Sequence, residues 1–426
     1  MSILIKNTIL DGQKRDIFIK GNKIKKISRN LNLSADEKID GKGEKAALPG
    51  LVNCHTHAAM VLFRGFGDDL PLKSWLEKKI WPLEAKLTKD DIYWGTKLAV
   101  LEMIKTGTTC FNDMYWSEEA SVQATEEMGL RAKIGLTLLD FLSAGSKENI
   151  EKYWGIFQKR KLKTVTFSIA PHSIYTVARA NLIWAKNFAR KNNLILHLHL
   201  AETEKEVKDC LKKYKTRPVE FLAKIGFLGK PRSRASSLRG GNCVLAHAVW
   251  LSDKEIKILA KRNCSVVYNP CSNMKLASGI FPYQKMKKAG VNITLGTDGV
   301  ASNNNFDLFE EMKIGSLLAK IKEMDPTLAP AKEIFQIATK NSAKALKINS
   351  GEIKEGKLAD IILIDLNKIY FQPGHHLISD VVFAAAGDCV SDTICNGKII
   401  MRNRKIKGEK EIIKQAAKRA KDLISK

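Results

Sequence analysis

Between residues 46 and 299 short apolar runs alternate with longer stretches in which apolar positions recur at helical spacing. Eight runs read as strands: Ala47–His57, Thr108–Met114, Arg131–Leu139, Thr164–His172, Leu194–Leu200, Asn242–Val249, Cys264–Pro270 and Val291–Asp298. The clearest intervening helix is Asp90–Thr106, with Gly107 as its C-cap. Alternation of this kind predicts a parallel sheet, and eight units predict a closed (β/α)8 barrel of the TIM type. The two ends of the chain follow another pattern. Residues 1–45 read as short strands with turns at Asp11-Gly12 and Gly21-Asn22. Lys357–Asp365 and Thr393–Met401 are strand-like, and Asn396-Gly397 is a hairpin signal. Glu409–Lys426 reads as a basic amphipathic surface helix. The expected architecture is therefore an α/β chain. Residues 51–349 form the barrel, and residues 1–50 and 350–426 form a composite β-sandwich carrying the last helix. Ser233–Gly241 reads as a polar, glycine-ended loop, expected to be mobile.

A chain of 426 residues suits one large barrel with an appendage, and 44% hydrophobic residues can fill its core. The longest apolar runs, such as Val381–Ala386, are too short to cross a bilayer. The first residues lack a basic segment followed by a long apolar one, so no signal peptide is read. The eight cysteines form no C-x-x-C pair, which argues against a thiolate zinc site or a disulfide framework. A reducing cytoplasm is the expected location. The net charge of +26 raises the possibility of nucleic-acid binding. Its lysines and arginines are spread along the chain, however, with no zinc-finger or RNA-binding motif beside them. No nucleic-acid or membrane partner is expected, and a homo-oligomer is left open.

Candidate chemistry gathers at the C-terminal ends of the expected strands, where barrel enzymes keep their sites. The first strand ends in His55-Thr56-His57, and residues two apart on a strand face the same side. The fifth ends in His197-Leu198-His199, followed by Glu202; His199 is nearer the mouth and His197 one layer deeper. The sixth ends near His247 and the eighth at Asp298. Three neutral imidazoles from His55, His57 and His199 with the Asp298 carboxylate suit one Zn²⁺, or Fe²⁺. Such an ion acidifies bound water from a pKa of about 15.7 toward 7. Glu202 is placed to carry protons, Asp298 to accept one from water, and His247 to orient the water. The fourth strand, Thr164–His172, has no lysine at its mouth to bridge two ions, which favours one metal.

Several of these segments resemble the amidohydrolase superfamily. Pro49–His57 is similar to its first-strand signature. Ala170–Ser173, His199–Thr203, Leu245–Trp250 and Leu295–Asn304 resemble its 5-methylthioadenosine/S-adenosylhomocysteine deaminase branch, and Gly356–Asp360 extends the likeness toward the C-terminus. The resemblance implies metal ligands at His55, His57, His199 and Asp298. It implies a nucleoside substrate touched by Trp75, Glu84, His172, Glu202 and Asp298, with Glu84 on the ribose hydroxyls. A carboxylate among aromatics can accept both hydroxyls, and Trp75 offers a flat apolar face. The implied reaction is hydrolytic deamination of a 5′-substituted adenosine. Guanine-, aminodeoxyfutalosine- and triazine-type substrates stand as alternatives, as does a basic nucleic-acid-binding protein. Two departures stand out. An arginine that often meets the homocysteine carboxylate aligns with Leu136, and Lys230–Gly241 is long and basic.

Overall fold

The computed structural model describes residues 1–70, 72–231 and 243–425. Eight parallel strands stand in sequence order around one sheet: β1 Leu51–Thr56, β2 Thr108–Met114, β3 Arg131–Leu138, β4 Val165–Pro171, β5 Ile195–Leu200, β6 Cys243–His247, β7 Ser265–Tyr268 and β8 Asn292–Leu295. An isolated parallel bridge between Thr56 and Asp298 brings the exit of β8 against the end of β1, so the sheet is nearly closed. The expected barrel is there. The expected mobile loop Ser233–Gly241 lies outside the described residues.

Strand alternation explains which side chains reach the centre. On β5, Leu196, Leu198 and Leu200 are buried in the main core cluster, while His197 and His199 face the other way. Each fully buried leucine contributes about 1.5–3 kcal/mol, so the outward set fixes the register that aims the histidines inward. The helix Lys89–Lys105 starts one residue before its expected position. Thr88 caps it, with Asp91 Oδ2 accepting the Thr88 N–H at 2.8 Å. The C-terminal helix Glu409–Ile424 lies on it and buries Ile412, Ala416 and Leu423.

One expected strand divides. Ala47–His57 reads as one run, yet Lys45–Pro49 pairs antiparallel with Ile361–Asp365 while Leu51–Thr56 joins the barrel. Gly50 is the break: a Cβ there would sit 2.2 Å from the Thr109 side chain. The terminal segments, expected to pair into one composite β-sandwich, form one eight-stranded hydrogen-bonded sheet. Its hairpin turns at Asn396-Gly397, both in the left-handed region. Arg131 at the start of β3 ties this sheet to the barrel through two 3.1 Å bonds to the buried Asp360 carboxylate.

Candidate metal centre and substrate cavity

His55 and His57 from the end of β1, His199 from β5, His247 from β6 and Asp298 just past β8 converge at the barrel mouth. Asp298 Oδ1 lies 3.1 Å from His55 Nε2 and 3.2 Å from His57 Nε2. His57 Nε2 is 3.2 Å from His199 Nε2. His247 Nε2 stands farther out, 4.0 Å from Asp298 Oδ2 and 3.8 Å from Glu202 Oε2. One donor atom each from His55, His199, His247 and Asp298 falls within 4.8 Å of the others. His57 Nε2 stands 3.2 Å from two members of this group, His199 Nε2 and Asp298 Oδ1.

The rings are held from behind. His57 Nδ1 bonds the Met114 carbonyl at 2.7 Å, His199 Nδ1 the His172 carbonyl at 2.7 Å, and His247 Nδ1 the Asn273 Oδ1 at 2.9 Å. Each bond places the proton on Nδ1 and leaves the Nε2 lone pair facing inward. His55 Nδ1 pairs with His197 Nε2 at 3.0 Å, so His197 is the deeper supporting residue expected of it. His55 Nε2 is buried without a hydrogen-bond partner. Burial lowers the pKa of His55 to about 4 and holds His199 well below its ordinary value, which keeps both rings neutral. Burial acts the same way on His57, but the Asp298 carboxylate, the Met114 carbonyl and the Asp113 charge together outweigh it and lift the group above its usual value. Burial alone would raise Asp298; the imidazoles of His55, His57 and His247 gathered around it hold it well below the carboxylate range. A carboxylate that stays ionised beside the neutral imidazoles of His55 and His199, with an orphaned ring nitrogen at its side, fits a divalent ion.

A cavity of about 330 Å³ opens beside this cluster. Trp75, Glu84, His172, Glu202 and Asp298 all border it. Glu202 is buried, bonded to Ser278 Oγ at 3.2 Å, and raised above its ordinary pKa by burial. Glu84 accepts a 2.8 Å bond from Tyr115 Oη, and burial pushes its pKa up to about 7. Leu139, Phe141, Leu142 and Trp81 also line the cavity, and none of its described lining residues is lysine or arginine.

Residues 46–400 match the amidohydrolase family. The chain belongs to this family. It is 46% identical over 412 residues, 94% of each chain, to a 5-methylthioadenosine/S-adenosylhomocysteine deaminase of Thermococcus sibiricus. It is 44% identical over 410 residues, 95% of each chain, to a 5′-deoxyadenosine deaminase of Methanocaldococcus jannaschii. Among solved structures it is similar to an adenosine deaminase from Xanthomonas campestris with bound zinc. That match has 31% identity and a TM-score of 0.92, covering 100% of this chain and 98% of the other.

In this amidohydrolase, Leu136 does not take the position the sequence alignment assigned it. It shares the outward face of β3 with Ile134 and Leu138, fully buried in the core; Thr137 and Leu139 border the cavity instead. Other residues escaped sequence reading altogether. Ser272 and Ser302 bond Asp298 Oδ2, Asn273 bonds His247, and Tyr115 bonds Glu84. Their one signal was position: each lies shortly after a strand end, in Met114-Tyr115, Asn269–Asn273 or Asp298–Ser302.

Proposed function

We propose that this amidohydrolase removes the exocyclic amino group of 5′-substituted adenosines by hydrolysis, with one zinc ion per chain as first choice and iron as second. Residues 51–349 are then the catalytic unit, with 1–50 and 350–426 as its support. The observation that carries the reading is the cavity itself, which sets the metal-type cluster, a buried Glu202 and the ribose-ready Glu84 around one space. The relatives named for 5′-substituted adenosines support it. The ion would be held by His55, His57, His199 and Asp298, and it would supply the acidification of water.

The rest is done by the chain. Deamination joins the water oxygen to the amidine carbon, breaks the C–N bond and releases ammonia. It needs one proton at the ring nitrogen and one at the leaving nitrogen. Glu202, whose pKa burial raises above its ordinary value, gives a proton to the ring nitrogen. Asp298 accepts a proton from water, and His247 Nε2, between Glu202 and Asp298, orients it. Trp75 and His172 flank the nucleoside, and Glu84 takes both ribose hydroxyls. The test is a panel of adenosines offered to the zinc-loaded protein. Turnover of 5′-deoxyadenosine and methylthioadenosine is expected; turnover of guanine or a triazine in their place would contradict the assignment.

The apolar wall sets the tail preference. S-adenosylhomocysteine brings a zwitterion into a space lined by Leu139, Phe141 and Leu142, without a cation among the described lining residues. An unpaired half-buried charge costs on the order of 1–3 kcal/mol. We expect kcat/KM for methylthioadenosine to exceed that for S-adenosylhomocysteine by roughly tenfold or more. Phe141→Arg, at the cavity rim, should raise the efficiency on S-adenosylhomocysteine selectively. Equal efficiencies in the wild-type protein would sink this preference.

Glu84 gives the reaction a pH signature. Only its ionised form accepts both hydroxyls, and its pKa stands at about 7. As pH falls below 7 the protonated form grows, so KM should rise by up to about tenfold per pH unit. Steady-state kinetics between pH 5 and 8 check this, with Glu84→Gln as the control in which the KM dependence disappears. A flat KM across that range in the wild-type protein would contradict the assigned role.

A further inference from the structure

We infer that Ser272 and Asn273, adjacent on the helix that follows β7, are positioning residues that set the working orientations of Asp298 and His247. The inference rests on the functional reading above.

The strand β7 sends no metal-type ligand to the mouth. The chain instead turns at Asn269 and enters the short helix Pro270–Lys275, whose first turn carries both residues. Ser272 Oγ donates to Asp298 Oδ2 at 2.6 Å, and Ser302 Oγ donates to the same oxygen at 3.0 Å. With two hydroxyls on Oδ2, the carboxylate is turned so that Oδ1 faces His55 and His57. The terminal torsion of an aspartate is otherwise broad, so the hydroxyls decide which oxygen faces the ion. Asn273 Oδ1 accepts the proton of His247 Nδ1 at 2.9 Å, which directs His247 Nε2 toward Glu202 and Asp298.

The helix that carries this pair is itself fixed. The Cys271 N–H donates to Glu311 Oε2 at 3.1 Å, and the buried Glu311 also accepts from Asn303 Nδ2 at 2.5 Å. Pro270 in the first helical turn restricts the backbone further. Ser272 is fully buried and Asn273 is 2% exposed. Neither borders the substrate cavity, whereas Asp298 and His247 do. Their effect therefore passes through those two side chains and not through substrate contact.

Ser272→Ala leaves Ser302 as the one hydroxyl on Asp298. Zinc affinity, measured by competition with a chromophoric chelator, should fall by about 10–100-fold. Asn273→Ala frees the His247 ring. There kcat on 5′-deoxyadenosine should fall by about 10–100-fold, with KM and zinc affinity nearly unchanged. Ser272→Thr and Asn273→Asp keep the donor and the acceptor, and should restore most of each loss. Ser272→Cys, similar in volume but a weak donor, serves if the alanine variant does not fold. Wild-type zinc affinity in Ser272→Ala or Ser272→Cys, or wild-type kcat in Asn273→Ala, would overturn the inference. So would a loss of Tm and activity that the conservative variants fail to restore. If the unaltered protein deaminates no adenosine, the functional reading fails, while the zinc competition still tests Ser272.

Discussion

Replacement of His199 by alanine is expected to strip the protein of its divalent ion and abolish turnover. His199 is 5% exposed, its Nδ1 is fixed on the His172 carbonyl at 2.7 Å, and its Nε2 stands 3.2 Å from His57 Nε2. The wild-type protein should carry about one zinc or iron per chain by elemental analysis, as a site of three imidazoles and one carboxylate requires. His199→Ala should carry almost none, with kcat down by several orders of magnitude. Two neighbours separate ligand from helper. His57→Ala should also lose the ion. His247→Ala should keep most of it and still lose activity, because His247 Nε2 is directed between Glu202 and Asp298, where it would orient the water. His197→Ala should leave the metal largely bound, since His197 touches His55 from behind. Retention of the ion in His57→Ala together with its loss in His247→Ala would exchange their roles. Two tightly bound ions per chain would overturn the single-metal reading.

Glu202→Gln is expected to keep the ion and lose the chemistry. Positioned acid–base groups contribute on the order of 10²–10⁴-fold in rate. The amide keeps the size and the bond to Ser278 but cannot cycle a proton between water, ring nitrogen and leaving amine. We expect kcat to fall by about 10²–10⁴-fold at unchanged metal content, with KM altered far less. A drop below tenfold would assign the proton transfer to another group. The metal analysis and the kcat measurement must be made on the same preparation, so that loss of the ion and loss of the acid are not confused.

The site was legible because strand geometry leaves few choices. Residues two apart on β1 and β5 share a face, so the H-x-H pattern and the outward leucines aim the histidines at one another before any coordinates are known. Asp298 and His247 follow from their places at strand ends. What the sequence hid depends on longer-range facts. Leu136 was set one face wrong, because a one-residue slip in register reverses every side chain of a strand. The apolar run Ala47–His57 does not say that its two halves join different sheets; Gly50 packing against Thr109 does. Pairing of the terminal strands into one sheet is likewise absent from local patterning. Ser272, Asn273 and Ser302 are small polar residues of a kind common at helix starts, and only the approach of Asp298 and His247 distinguishes them.

The most direct test of the central claim is product analysis after incubating the zinc-loaded protein with 5′-deoxyadenosine. We predict one ammonia released per nucleoside consumed, and a product in which the amino group is replaced by an oxygen drawn from water. Chelation should stop the reaction and zinc should restore it. An intact 5′-deoxyadenosine, with methylthioadenosine and adenosine equally untouched while guanine or a triazine is consumed, would contradict the account.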